Sequence, residues 1–116
     1  MAPEEGSDQK PQLDIGAILN QMWVRFLPDI YERVEVLESA AKAHIAGTLS
    51  PAQCAAAHAA AHKLIGSLGT FGLMRGTELA REFEQACASE NSVMATKPAR
   101  LDAIAGQIRK IVDERK

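Results

Sequence analysis

Apolar residues recur along this chain at intervals of three and four and nowhere keep an interval of two. That is the pattern of helices that each bury one face. Asp14 stands as an N-cap before Ile15, Ile18, Leu19, Met22 and Phe26, and Pro28 ends or kinks this first predicted helix. A second stripe, Ile30, Val34, Leu37, Ala41 and Ile45, stops at Gly47, which suits a left-handed C-terminal residue. Ser50 and Pro51 pair an N-cap with a first-turn proline and open a third helix. It carries Cys54, Ala57, Ala61, Leu64 and Leu68 on one seam and gives way to a loop, Gly69 to Gly72. From about Leu73 a fourth helix turns Leu73, Thr77, Ala80, Phe83 and Cys87 inward, with Glu78, Arg81, Glu82 and Gln85 outward. Polar residues from Ser89 to Lys97 form a linker, and Pro98 begins a last helix with Leu101, Ile104, Ile108 and Ile111 on one stripe.

Aromatic residues are only 4% of the chain and alanine is abundant, so strands have little support. The expected fold is all-α: an antiparallel four-helix bundle with short loops and an additional N-terminal helix. A chain of 116 residues holds one such domain. Residues 1–12, with two prolines, a glycine and mixed charges, are expected to form a flexible tail, and residues 13–116 the bundle. Lys and Arg total 13 against 15 Asp and Glu, a net charge of -2, which lacks the basic excess that nucleic-acid binding needs. No apolar run approaches the roughly 20 residues of a membrane span, and the polar start offers no secretory signal. A cytoplasmic protein is expected, as a monomer because the outer faces of the last two helices are polar. Cys54 and Cys87 occupy apolar positions and form no CxxC pair, so both read as buried free thiols.

The third helix is the informative one. With His62 set at zero and about 100° per residue, its seam residues Leu64, Ala57, Leu68, Ala61 and Cys54 centre near 240°. His62 therefore faces solvent. Around it lie Ala55, His58, Ala59, Gly66 and Gly69, small residues where a solvated helix normally carries long charged ones. A glycine inside a helix costs on the order of 1 kcal/mol relative to alanine, so Gly66 needs a reason. Either a partner surface comes close to it, or another helix packs against it, or the fraying of this helix starts there.

The stretch His62 to Gly72 (HKLIGSLGTFG), preceded by Ala60 and Ala61 and followed by a helix reaching Phe83-Glu84, resembles the histidine phosphotransfer (HPt) domain family. The matching residues are Ala61, His62, Leu64, Gly66, Ser67, Gly72 and the Phe83-Glu84 pair. The resemblance implies a carrier without autokinase activity. His62 would accept a phosphoryl group from the aspartyl phosphate of a receiver domain and pass it to another. The implied partners are response-regulator receiver domains and the receiver of a hybrid histidine kinase, with Mg²⁺ on the receiver and no cofactor on this chain. A free imidazole, with a pKa of about 6.5, is mostly neutral at pH 7 and can attack phosphorus. The chain has no P-loop or carboxylate metal cluster of its own to neutralise charge.

The implied contact residues around His62 are Lys63, Gly66, His58, Ala59, Ile65 and Gly69. The family commonly has lysine three residues after the histidine, where this chain has Ile65, and a lysine stands at Lys63 instead. Lys63, about 100° from His62, either reaches the phosphoryl oxygens or is a solvated flank. Ile65 either forms an apolar contact for a receiver or margins the core. Arg75 and Arg81 are candidates to meet an acidic receiver surface. His58 and His62 also match the i, i+4 spacing of metal ligands. A zinc site needs two more, and only His44 and the inward cysteines remain, so no metal is expected. The rival function is a scaffold bundle that docks a partner through the outer face of the third helix without phosphorylation.

Overall fold

The computed structural model describes residues 14–115, and the predicted tail over 1–12 lies outside them. Among the described residues there are five helices and no strands: α1 (Ile15–Ala46), α2 (Pro51–Thr70), α3 (Met74–Ala86), α4 (Glu90–Met94) and α5 (Pro98–Glu114). Around the bundle, α2 packs between α1 and α3, and α5 closes the ring between α3 and α1. Short connections make sequential neighbours antiparallel. The all-α, four-helix-bundle class holds, and the two long stripes predicted before Gly47 turn out to share one element.

The largest correction concerns Pro28. It neither ends α1 nor separates two helices; α1 runs through it for 32 residues. A proline inside a helix costs roughly 3 kcal/mol. Each of Trp23, Ile30, Val34 and Leu37 is buried along the same α1 face, at about 1.5–3 kcal/mol apiece, so continuity wins. The side chain of Asp14 accepts from the Ala17 amide to start the helix, and Gly47, at φ 74°, ends it in the left-handed conformation.

Smaller corrections follow from packing. On the first predicted stripe Ile15, Ile18 and Phe26 are exposed, and the residue buried there is Trp23, which meets Phe71 edge to face with ring centroids 5.1 Å apart. Ile45 is exposed as well, in the last turn of α1 before Gly47. α2 continues through Gly69 to Thr70, so the predicted loop shrinks to Phe71–Leu73, turning on Gly72 at φ 72°. Leu73 is the N-cap of α3 and only half-buried, while Leu79, not foreseen, is fully buried. The linker folds in part as α4, capped by Ser89. On α5 the last inward position is Val112, and Ile111 lies at the margin.

The predicted seam of α2 stands complete: Cys54, Ala57, Ala61, Leu64 and Leu68 are all buried. Ser50 caps it through a reciprocal pair with Gln53, the Ser50 hydroxyl accepting from the Gln53 amide and the Gln53 side chain from the Ser50 amide. The seam α1–α5 is held differently, by Arg109 on Glu38 at 2.5 Å and by Tyr31 donating to Asp113. No helix among the described residues is long and apolar enough to cross a membrane.

Candidate functional site

With its seam buried, α2 must present the opposite side, and His62 stands there with 73% of its side chain exposed. Its Nδ1 lies 2.6 Å from Oε2 of Glu84 on α3. A carboxylate only accepts, so Nδ1 carries the hydrogen, and in the neutral ring Nε2 is the nitrogen with the free lone pair. Glu84 is mostly covered, at 20% side-chain exposure, and follows the buried Phe83, which anchors α3 at this height. The contact fixes both the tautomer and the rotation of an otherwise exposed ring.

One turn earlier on α2, His58 is half-buried, with Nδ1 3.0 Å from the backbone carbonyl of the same Glu84. His58 is thus tied to the α3 backbone. His44 is also engaged, with Nε2 2.8 Å from the Thr96 carbonyl between α4 and α5, far along the chain from His62. Among the described residues no group of three or more His, Cys, Asp or Glu is placed to hold a metal ion. The thiols Cys54 and Cys87 are free and buried, and Cys54 Sγ reaches to 3.6 Å from the Cys87 carbonyl. Burial, followed by the neighbouring Cys54, pushes the Cys87 thiol up to about 12, so it stays protonated and inert at neutral pH.

The collar around His62 divides between two sides. Ala59 and Gly66 are exposed on the face of the histidine, and a Cβ built on Gly66 would meet nothing within 4 Å. Helix packing is therefore not the reason for Gly66. The glycine that does serve packing is Gly76, whose Cβ would come 3.0 Å from Leu68 Cδ1. Gly69 lies next to Thr77 of α3, where a Cβ would be at 3.8 Å from its hydroxyl. Lys63 lines an open groove between α1 and α2 together with Phe26 and Arg33, and Gly66 borders the same groove. Ile65 is half-buried against the core, its margin rather than an exposed patch. Arg75 pairs with Glu78 at 3.5 Å.

Glu84 is the residue that reading helical periodicity missed as a partner of His62. The two are 22 positions apart, and only the side-by-side register of α2 and α3 brings them together. The available signal was its place directly after an inward phenylalanine, on the shoulder of the α3 stripe.

The family model described as Hpt domain matches residues 21–114 of the chain. A stretch of 68 residues, 59% of this chain, is 35% identical to Protein RcaC of Microchaete diplosiphon and spans 10% of that protein's length. No solved structure matches.

Proposed function

The chain belongs to the Hpt domain family, a family of phosphocarriers that work with receiver domains in phosphorelays, and from that premise we propose that His62 is its phosphoacceptor. The observation that supports this reading is the oriented, exposed ring: Nδ1 on the Glu84 carboxylate at 2.6 Å and Nε2 left outward. Nε2 attacks the phosphorus of a receiver's aspartyl phosphate. The N–P bond forms as the acyl P–O bond breaks, the electron pair leaving with the receiver's aspartate. No proton need move, because Nδ1 keeps its hydrogen. The ring becomes a phosphoimidazolium, and Glu84 stabilises that positive charge through the hydrogen bond already in place. Return of the phosphoryl group to a second receiver is the same step reversed.

Ala59, Gly66 and Gly69 let the receiver surface approach the ring, with Lys63 and Ile65 at the edge of its footprint and His58 holding α2 to α3 below it. The receiver brings the Mg²⁺ that neutralises charge while the phosphoryl group is in transit.

The test is phosphotransfer from a panel of phosphorylated receivers to this protein and to His62→Gln. The expected result is an acid-labile label on the native chain and none on the variant. Label on both would move the acceptor elsewhere, and binding without label on either would leave a docking bundle.

A further inference from the structure

A phosphoryl group on Nε2 brings about two negative charges to a ring already touching a carboxylate, Glu84. Such an arrangement calls for a cation from the bundle itself once the receiver has left with its metal. The α2 helix does not provide one on the Glu84 side. Ile65 is turned to the core margin, and Lys63 lines the groove toward α1 beside Arg33.

The opposite helix has a candidate. The register of α2 against α3 is antiparallel: His62 meets Glu84, and Gly69 lies next to Thr77. Arg81 falls between those two contact residues, within about 60° of both on the wheel of α3 and roughly 4.5 Å along the axis from Glu84 toward Thr77. That level faces the α2 stretch between His62 and Gly69. Arg81 is exposed, and among the described residues it enters no ion pair, whereas Arg75, Arg100 and Arg109 on α3 and α5 each hold a carboxylate. Gly69, the α2 glycine that lies next to Thr77 of α3, has no side chain to block that edge. A guanidinium without an ion pair, an exposed glycine at Gly69 and an acidic residue already on the ring lie along one stretch of the α2–α3 seam.

We propose that Arg81 is a phosphoryl-binding residue: its guanidinium reaches along the exposed edge of the α2–α3 seam, past Gly69, to hold the oxygens of the phosphoryl group on His62. It takes the part of the lysine that the family places three residues after the histidine. Guanidinium donors in a planar fork suit phosphate oxygens, and the contact forms only in the phosphorylated state. This inference rests on His62 being the acceptor.

The experiment phosphorylates the protein with phosphoramidate, a small-molecule donor that needs no receiver, and follows the phosphohistidine by ³¹P NMR across pH. A cation at the phosphoryl group favours its dianion, so Arg81→Ala is expected to move the phosphoryl titration to higher pH, and Arg81→Lys to restore part of the difference. With a receiver present, the equilibrium share of phosphoryl on His62 should fall about three- to tenfold in Arg81→Ala, the size of an exposed to partly covered charge-assisted contact. A merely structural role for Arg81 would change melting and leave the phosphoryl titration where it was. An Arg81→Ala titration that overlays the native one overturns the inference, and a shift in Lys63→Ala alone would give the part to Lys63. If His62→Gln takes the same ³¹P signal as the native chain, the phosphoacceptor reading falls first and this inference with it.

Discussion

The seam between α2 and α3 is built in two opposite ways along its length. At the level of Leu68 and Gly76 it is dry and tight, and an added Cβ at Gly76 would come 3.0 Å from Leu68 and 3.5 Å from Ile111 of α5. At the level of His62 the same two helices meet through polar groups, His58 on the Glu84 carbonyl at 3.0 Å and His62 on the Glu84 carboxylate at 2.6 Å. Close packing fixes how α3 lies against α2. The carboxylate then fixes only what packing leaves free, the rotation of one exposed ring. A reactive group can stand in solvent and still be aimed when its support is rigid about two turns away.

Substitutions at the two levels should therefore separate stability from transfer. Leu68→Ala removes a fully buried side chain at the tight level and is expected to cost about 2–5 kcal/mol in urea unfolding. His62→Gln should change unfolding by less than about 0.5 kcal/mol, since the ring is mostly exposed, while removing all phosphoryl acceptance. An equal loss of stability in both would dissolve the distinction.

Glu84→Ala sharpens it further. Without the carboxylate the imidazole samples both tautomers and turns freely, and the phosphoimidazolium loses its stabilising partner. Transfer to His62 should slow on the order of tenfold, about the worth of one lost charge-assisted hydrogen bond to the ring. The melting curve should shift little, because the Glu84 carbonyl that holds His58 remains. Glu84→Gln keeps an acceptor oxygen and should recover most of the orientation but not the charge stabilisation, so its rate should fall between. A Glu84→Ala protein that transfers at the native rate would show that the contact does not orient the nucleophile.

The bundle class, the complete seam of α2 and the outward face of His62 were legible in the sequence because each follows from the angle of one residue against others on the same helix. What was not legible depends on a second helix. Pro28 stays inside α1 because burial on both sides of it outweighs its missing amide, a tertiary balance invisible to a local stop signal. Ile15, Ile18 and Ile45 keep the period of a buried stripe but lie where no neighbouring helix covers them. Glu84 escaped notice as a partner for the same reason: its distance to His62 is set by the register of α2 on α3 and not by spacing within either.

Gly66 and Gly76 make the finest test, because both interrupt helices and only one is in contact. At Gly66 an alanine meets nothing within 4 Å, so the gain in helix propensity is unopposed and unfolding should become harder by about 0.5–1 kcal/mol. At Gly76 the same gain is opposed by a methyl pressed against Leu68 and Ile111, which overpacks the core at a cost of roughly 1–3 kcal/mol. The net expectation is a loss of about 1 kcal/mol. Denaturant midpoints of the two variants should therefore move in opposite directions. Phosphoryl acceptance should respond the other way round: reduced in Gly66→Ala, whose methyl enters the space beside His62, and kept in Gly76→Ala as long as the protein is folded. Midpoints that move together would mean that the open space at Gly66 is filled in solution, and the reason for a costly glycine in the middle of α2 would return to packing.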